Sequence, residues 1–308
     1  MTLTELRYVV AVARYRHFGK AAEACFVSQP TLSVAIRKLE EELGVRIFER
    51  SRSDVIVTPV GETLVAQAQE VLRAADELRE SAAAAQDPLG SRLVLGVIYT
   101  VGPYLIPRLI TALKSKAPKL SLILREGYTD ELAEQLRSGE LDCAIMSLPV
   151  NDQRLMSRPL YEEPFSVVLP QDHPLATHDT IQPAELAAET LLLLGTRNCF
   201  REQVLDICPA CIAPEHSAAG ELQKTLEGSS LDTICQMVAA GAGVTVVPTT
   251  MPLNEDLGRH IVLKPFAAPA PARTIAAFYR RGFARPELIN CVAEAVHEAD
   301  LRGVRYSA

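Results

Sequence analysis

Thiols are concentrated in one short segment of the sequence, NCFREQVLDICPAC (residues 198–211), which holds three of the seven cysteines. Cys199 and Cys208 stand nine positions apart, at the two ends of a stretch whose apolar residues recur at helical spacing. If this stretch is a helix, nine steps of roughly 1.5 Å separate the two Cα atoms by about 13 Å. A disulfide needs Cα atoms about 4.4–6.8 Å apart. Joining these two cysteines would therefore unwind the helix between them, which is the behaviour of a redox switch.

Cys199 occupies a position that favours a reactive thiolate. Asn198 is a good N-cap for the helix CFREQVLDI, which places Cys199 in the first turn. The helix dipole and a neighbouring arginine, Arg197 or Arg201, would both favour the charged form of the sulfur. Such a thiolate can attack a peroxide, form a sulfenic acid and condense with a second thiol. The alternative is that Cys199 is a small buried apolar residue, which is the usual role of a free cysteine.

The motif CPAC at the end of this segment leaves two further options. Cys211 is a competing resolving thiol, three residues after Cys208, and Pro209 predicts that the helix does not continue past this point. Cys208, Cys211 and His216 form only a weak zinc signal, since a structural zinc needs four ligands. We therefore predict no metal and no cofactor. The remaining cysteines are expected to be packed apolar residues: Cys25, Cys143, Cys235 and Cys291.

Length, composition and charge restrict the class of protein. The 308 residues, 48% of them hydrophobic, suffice for two or three compact cores. The chain has no apolar run long enough to span a bilayer and no signal-peptide pattern, so a cytoplasmic protein without membrane contact is expected. A cytoplasmic location and an odd number of cysteines argue against a permanent disulfide framework. Although the net charge is −7, residues 1–58 carry nine basic and seven acidic side chains, which is compatible with local contact to nucleic acid.

Residues 1–58 predict three helices followed by two short extended segments. Ser28 is an N-cap for the third helix, Pro30 suits its first turn, and Gly44 ends it. A buried stripe on this helix is expected to contain Leu32, Ile36, Leu39 and Leu43. This pattern predicts a winged helix-turn-helix domain, whose third helix enters the major groove of double-stranded DNA. The alternative is a small helical domain with a solvated polar face.

The predicted contacts to DNA lie on two elements. Gln29, Ser33 and Arg37 are four residues apart and can reach base edges from one helix face, while the wing arginines can bind phosphate. The full set of candidate DNA-binding residues is Gln29, Pro30, Thr31, Ser33, Arg37, Arg50 and Arg52.

Residues 59–86 are predicted to form a single long linker helix. Its apolar positions follow a heptad spacing, with Leu64, Ala68, Val71, Ala75, Leu78 and Ala82 on one seam. A two-chain coiled coil would bury this seam, so we expect a homodimer; an intramolecular amphipathic helix is the alternative. Residues 87–90, DPLG, end the helix as a hinge.

Residues 91–308 alternate predicted strands and helices, which indicates an α/β regulatory domain with a mostly parallel sheet. We expect two lobes joined by two crossings, with lobe I at about 91–163 and 268–308 and lobe II at about 164–267. Ligands of open parallel sheets bind beyond the carboxyl ends of the strands. Thr100, Thr129 and the pair Asn198–Cys199 each follow a predicted strand, so all of them are expected to face the cleft between the lobes.

The N-terminal part of this sequence resembles the N-terminal domain of the LysR-type transcriptional regulators. The motifs that carry the resemblance are FGKAAEACFVSQPTLSVAIRKLEEELGVRIFER and the TPVGE that follows it. The chain length and the order of its segments suit this family throughout. The resemblance implies a promoter-binding regulator whose two-lobed domain is similar to periplasmic binding proteins. It also implies a homotetramer, with RNA polymerase as a further candidate partner.

Three more segments, CFREQVLDIC, IYTVGPYLIP and EGYTDEL, resemble the members of the family that sense hydrogen peroxide. This resemblance implies a peroxidatic Cys199, a resolving Cys208 and a disulfide between them. It places Thr100, Thr129, Asn198, Arg201 and Arg273 in the peroxide site, Arg273 by a looser match. Asn198 departs from the family, which often has histidine there, because asparagine hydrogen-bonds but takes up no proton near neutral pH.

The resulting hypothesis is a regulator, not an enzyme, which responds to hydrogen peroxide and controls antioxidant genes. One alternative is a LysR-type regulator that senses a small metabolite in the cleft, with incidental cysteines. The other is a thiol peroxidase, although a peroxidase has no need of a DNA-reading domain.

Overall fold

The structure, a computed structural model, describes residues 1–50, 55–84, 87, 89–209, 227–228, 230–253 and 255–307. The chain divides into two compact units, Met1–Gln86 and Asp87–Ala308. Within the described ranges, no helix combines the length and the apolar character needed to cross a bilayer.

The first unit contains three helices, a two-stranded antiparallel ribbon and a long helix. In chain order these are α1 (Leu3–Tyr15), α2 (Phe18–Ala24), α3 (Gln29–Leu43), β1 (Phe48–Arg50), β2 (Val55–Val57) and α4 (Pro59–Ala84). The hydroxyl of Ser28 accepts a hydrogen bond from the N–H of Thr31 at 3.3 Å, and Gly44 ends α3 in the left-handed conformation. The predicted winged helix-turn-helix fold is thus confirmed.

The core of this unit is built on α3, with one exception to the predicted stripe. Leu32, Ile36 and Leu39 are fully buried. The prediction for Leu43 was wrong, because this side chain remains 40% exposed. Leu43 is the last residue of α3, and the chain turns away at Gly44 before another element can cover it.

Helix α4 uses the two halves of its apolar seam differently. Leu64 and Ala68 pack against the core of the first unit. Val71 and Leu78 are 45% and 74% exposed. The first half of the seam is therefore an intramolecular contact, and the second half presents apolar side chains to solvent.

The second unit is an α/β structure in which the chain passes between two lobes. Lobe I begins with β3 (Arg92–Ile98), α5 (Gly102–Lys116), β4 (Ser121–Gly127), α6 (Thr129–Ser138) and β5 (Cys143–Ser147). The long strand β6 (Leu155–Pro170) leads into lobe II, which contains β7 (Leu193–Leu194), α7 (Cys199–Ile207), β8 (Glu227–Gly228), α8 (Leu231–Ala239), β9 (Thr245–Pro248) and β10 (Ile261–Pro265). The chain returns through β11 (Ala272–Arg280) to α9 (Pro286–Glu298) and β12 (Arg305–Tyr306). Short 3-10 helices cover Pro174–Thr177, Pro183–Ala188 and Leu257–Arg259.

The strands of this unit pair in the order β10-β6-β11-β5-β3-β4. Strand β3 is parallel to β4 and β5, whereas β11 is antiparallel to both β5 and β6, and β6 is antiparallel to β9, β10 and β12. The prediction of a mostly parallel sheet is confirmed for β3, β4 and β5 of lobe I and is wrong for β6 and β11, which pair antiparallel with their neighbours. Strand β6 carries the chain from one lobe to the other and β11 carries it back, so these two crossings must run in opposite directions. Each lobe packs its own apolar core around them.

A buried ion pair holds the start of β3 in lobe I. The guanidinium of Arg285 lies 3.0 Å from a carboxylate oxygen of Asp142 and donates to the backbone oxygen of Arg92 at 2.7 Å. The other oxygen of Asp142 accepts from the N–H of Val94 at 2.7 Å. This network attaches the first strand of the second unit to α9 and β5.

Arg285→Met should lower the free energy of unfolding of the second unit by about 3–5 kcal/mol, because Asp142 would keep a buried charge without its partner. Urea unfolding followed by circular dichroism measures this change. Arg281→Met, which alters an exposed arginine four residues earlier, is the matched control and should be nearly neutral. Equal stability of the two variants would contradict the assignment.

Candidate functional site

Cys199 is the first residue of α7, and local sequence accounts for its position. The side-chain oxygen of Asn198 accepts a hydrogen bond from the N–H of Phe200 at 3.2 Å, which is the predicted N-cap. Phe200 and Val204 are buried and attach the helix to the core of lobe II. The helix continues to Ile207, so an intact helix separates Cys199 from Cys208.

The sulfur of Cys199 lies where the two lobes meet. Thr129 begins α6 in lobe I, directly after β4, and its hydroxyl donates to the Sγ of Cys199 at 3.3 Å. Cys199 is half-buried and packs against the core of lobe I, although its own helix belongs to lobe II. The structure thus brings together two of the sequence-predicted site residues, which are 70 positions apart in the chain.

Thr100 and Arg273 form a second, buried part of the site. Arg273 donates to the hydroxyl of Thr100 at 2.9 Å and to its backbone oxygen at 3.0 Å. The guanidinium carbon of Arg273 lies 5.0 Å from the centre of the Phe200 ring. Phe200, the residue after Cys199, therefore connects this pair to the reactive segment.

Two further residues, Glu163 and Thr250, complete this network and were not predicted from the sequence. The Nε of Arg273 donates to Glu163 at 2.7 Å, and the hydroxyl of Thr250 donates to the other carboxylate oxygen. Glu163 lies directly opposite Arg273 in the register of β6 and β11. In the sequence, Glu163 is visible only as a charged residue next to an apolar strand. The strand register is needed to show which residue Glu163 faces.

The two arginines near the start of α7 each have a partner of their own. Arg201 donates to the backbone oxygen of Leu194 at 2.9 Å. Arg197 forms an ion pair with Glu131 at 2.6 Å, and its guanidinium lies 4.4 Å from the centre of the Tyr128 ring. The prediction that one of these arginines favours the Cys199 thiolate stays a prediction.

Cys199 and Cys208 differ in their bonding state. Cys199 is a free cysteine, whereas Cys208 is disulfide-bonded, so these two sulfurs are not joined to each other. Cys208 is buried and caps α7, with its backbone N–H 3.4 Å from the oxygen of Val204. Cys211 and His216, which gave the alternative resolving thiol and the weak zinc signal, lie outside the described residues. No group of three or more metal-ligating side chains occurs in the part of the chain that is described.

Three other cysteines are in surroundings that suppress thiol chemistry. Cys143, Cys235 and Cys291 are buried free cysteines. Burial raises the pKa of Cys235 to about 12 and raises the pKa values of Cys143 and Cys291 as well. Since the thiolate is the reactive form, these thiols are poor nucleophiles. Cys25 is half-buried at the end of α2 and packs against the core of the first unit.

The candidate DNA-binding residues lie around the start and the outer face of α3. Gln29, Pro30, Thr31 and Arg37 are exposed, and Ser33 is half-buried. Arg50 is the last residue of β1, and Arg52 is outside the described residues.

Comparison with known families divides the chain close to the boundary between the two compact units of the structure. Residues 3–62 match the bacterial regulatory helix-turn-helix protein model of the lysR family, and residues 86–300 match the LysR substrate binding domain. The chain belongs to the LysR family. Its relatives in this family include a hydrogen peroxide-inducible genes activator of Dickeya chrysanthemi, which is 39% identical over 298 residues (97% of this chain and 95% of the relative). The transcriptional dual regulator OxyR of Escherichia coli is also 39% identical, over 96% of this chain and 95% of its own length.

Solved structures of LysR-family proteins agree with this placement. Full-length OxyR from Pseudomonas aeruginosa has a TM-score of 0.76 and 46% identity, and the match covers 96% of this chain and 95% of that one. A reduced form of OxyR from Neisseria meningitidis has a TM-score of 0.65 and 37% identity, covering 71% of this chain and all of that chain (100%).

Thr129→Val should slow the oxidation of Cys199 by hydrogen peroxide about fivefold, because one hydrogen bond to sulfur, about 1 kcal/mol, is lost. The rate is measured by trapping the sulfenic acid at Cys199 and quantifying the modified peptide by mass spectrometry. Thr129→Ser keeps the hydroxyl and serves as the control. A valine variant that reacts as fast as the serine variant would show that the Thr129 hydroxyl does not assist the reaction.

Proposed function

We propose that this LysR-family chain is a promoter-binding transcription regulator, not an enzyme, that senses hydrogen peroxide through Cys199 and controls antioxidant genes. The observation that carries the proposal is the position of Cys199. It is a free, half-buried thiol in the first turn of a helix, with its sulfur hydrogen-bonded by Thr129 across the junction of the two lobes. The similarity to relatives named as activators of hydrogen peroxide-inducible genes supports the same stimulus.

In the first step, the thiolate of Cys199 attacks one oxygen of hydrogen peroxide. The O–O bond breaks, the sulfur becomes a sulfenic acid, and the departing hydroxide takes up a proton to form water. Thr129 donates to the sulfur and can stay bound to it during the attack. Arg273 lies against the ring of Phe200, the residue after Cys199, and donates to the hydroxyl of Thr100.

In the second step, the Cys208 thiolate attacks the sulfenic sulfur; the S–S bond forms, the S–O bond breaks, and the departing hydroxide takes up a proton to form water. Cys208 must be a free thiol for this step, so the disulfide that it makes in this structure has to be reduced beforehand. Because α7 separates the two cysteines, the new bond forms only as the helix unwinds. Oxidation is thereby converted into a change of shape in lobe II.

Oligomerisation would transmit this change to DNA. We propose that the exposed second half of the α4 seam pairs with a second copy of the chain, giving a dimer and, through the second units, a tetramer. Rearranged packing between copies would change the spacing of the DNA-reading units on the promoter. RNA polymerase is a further candidate partner of the activated complex.

Cys208→Ser, fully reduced and then given one equivalent of hydrogen peroxide, should still form the sulfenic acid at Cys199 but no internal disulfide. Sulfenic-acid trapping and non-reducing peptide mapping separate these outcomes. Cys211→Ser, in contrast, should form the Cys199–Cys208 linkage.

A wild-type response of the Cys208 variant would show that Cys211 is the resolving thiol or that the disulfide is unnecessary. No linkage in the wild type, together with a tightly bound metabolite, would favour the metabolite-sensing alternative.

Arg37→Ala should weaken binding to the preferred DNA site by about 1–3 kcal/mol and relax the sequence preference, as expected for an arginine that reads a base edge. Fluorescence anisotropy on a site selected from random DNA, and on a scrambled site, measures both effects. Arg7→Ala alters an exposed arginine on α1 and is the control. An equal loss on both DNAs would assign Arg37 to a phosphate contact.

A further inference from the structure

Glu163 is a buried carboxylate at the point where the chain crosses between the lobes. Its side chain is 0% exposed. It lies on β6 near the end of the segment that pairs with β11, which ends at Pro164, and just before the segment that pairs with β10, which begins at Ser166. A buried carboxylate is costly unless it is paired and hydrogen-bonded, so the partners of Glu163 show what its burial achieves.

Both carboxylate oxygens of Glu163 have partners, and these come from different parts of the second unit. One oxygen accepts from the Nε of Arg273 at 2.7 Å, on the returning crossing β11. The other accepts from the hydroxyl of Thr250, which follows β9 in lobe II. Glu163 therefore links the two crossings of the chain to the core of lobe II.

The ion pair with Glu163 also determines the orientation of the Arg273 guanidinium. A guanidinium is planar, so a bond at Nε and two bonds from the terminal nitrogens to Thr100 define its plane. The guanidinium carbon lies over the ring of Phe200, 5.0 Å from the ring centre. The chain of contacts thus runs from Thr250 through Glu163 and Arg273 to Phe200, the neighbour of Cys199.

We propose that Glu163 is a positioning residue for the oxidation of Cys199, with Thr250 as its anchor in lobe II. Glu163 acts through Arg273, whose guanidinium it holds in the orientation that bonds Thr100 and packs against the ring of Phe200, the residue next to Cys199. This proposal deepens the proposed function and rests on it.

The test compares two reactions of the same thiol in the reduced full-length chain. The second-order rate constants of Cys199 are measured with hydrogen peroxide and with iodoacetamide, which needs an accessible thiolate but no peroxide site. Glu163→Gln keeps the size of the side chain and loses its charge. Glu162→Gln, at the adjacent carboxylate that pairs with Arg305, is the matched control.

We expect Glu163→Gln to lower the peroxide rate constant roughly tenfold, about 1.4 kcal/mol, since the neutral amide weakens the hydrogen bond at Arg273 and removes the charge that pairs with its guanidinium. The iodoacetamide rate constant should stay within about twofold of wild type, and Glu162→Gln should change neither rate. Equal changes in both rates would reduce Glu163 to a structural role and overturn the proposal, as would an unchanged peroxide rate.

Thr250→Val keeps the ion pair and provides a second variant if Glu163→Gln does not fold. It should lower the peroxide rate about threefold, with no change in alkylation, because the one hydrogen bond from a neutral hydroxyl to the Glu163 carboxylate is lost while the bond to Arg273 remains. An unchanged peroxide rate in this variant would contradict the role of Thr250 as an anchor. If Glu163→Gln also fails to fold, the same result would overturn the proposal itself. Failure of the proposed function looks different: wild-type Cys199 would then react with peroxide no faster than Cys25, and both proposals would fall.

Discussion

The length of α7 is the constraint on which the chemistry of this protein depends. A disulfide between Cys199 and Cys208 requires Cα atoms within about 7 Å, and the helix holds them about twice as far apart. Unwinding the helix has a cost, since Phe200 and Val204 are buried and each apolar side chain of this kind contributes about 1.5–3 kcal/mol. The helix therefore stays folded until a covalent bond opposes it. A shorter separation would allow a disulfide to form without any change in the fold.

A buried network of charged and polar side chains at the crossing between the lobes is in contact with α7. Arg273 and Glu163 face each other on the two strands that join the lobes, and Thr100 and Thr250 satisfy their remaining polar atoms. Removing Arg273 or Glu163 would leave the other charge without its partner in a poorly solvated place. Phe200 packs on this network and is also part of α7. Any rearrangement of the helix must consequently disturb contacts at the crossing.

Sensing and DNA reading are assigned to separate compact units. The predicted base-reading residues lie on α3 in the first unit, and Cys199 lies in the second. A chemical change at Cys199 must therefore be transmitted from one unit to the other to reach α3. The exposed apolar positions Val71 and Leu78 on α4 favour transmission through contacts between copies of the chain, because a partner helix would bury them.

Local features of this protein were determined by the sequence alone, since they depend on residues within a few positions of one another. The caps Ser28 and Asn198, the extent of α7 and the helices of the DNA-reading unit all follow from capping chemistry and helical spacing. The position of Thr129 after a predicted strand and the family resemblance for Arg273 made both residues candidates, without their partners. Only the tertiary structure decided that Thr129 donates to the sulfur, that Glu163 pairs with Arg273 and that the crossings are antiparallel. The physical reason is that strand register and lobe packing set contacts between residues tens of positions apart, and no short-range pattern encodes them.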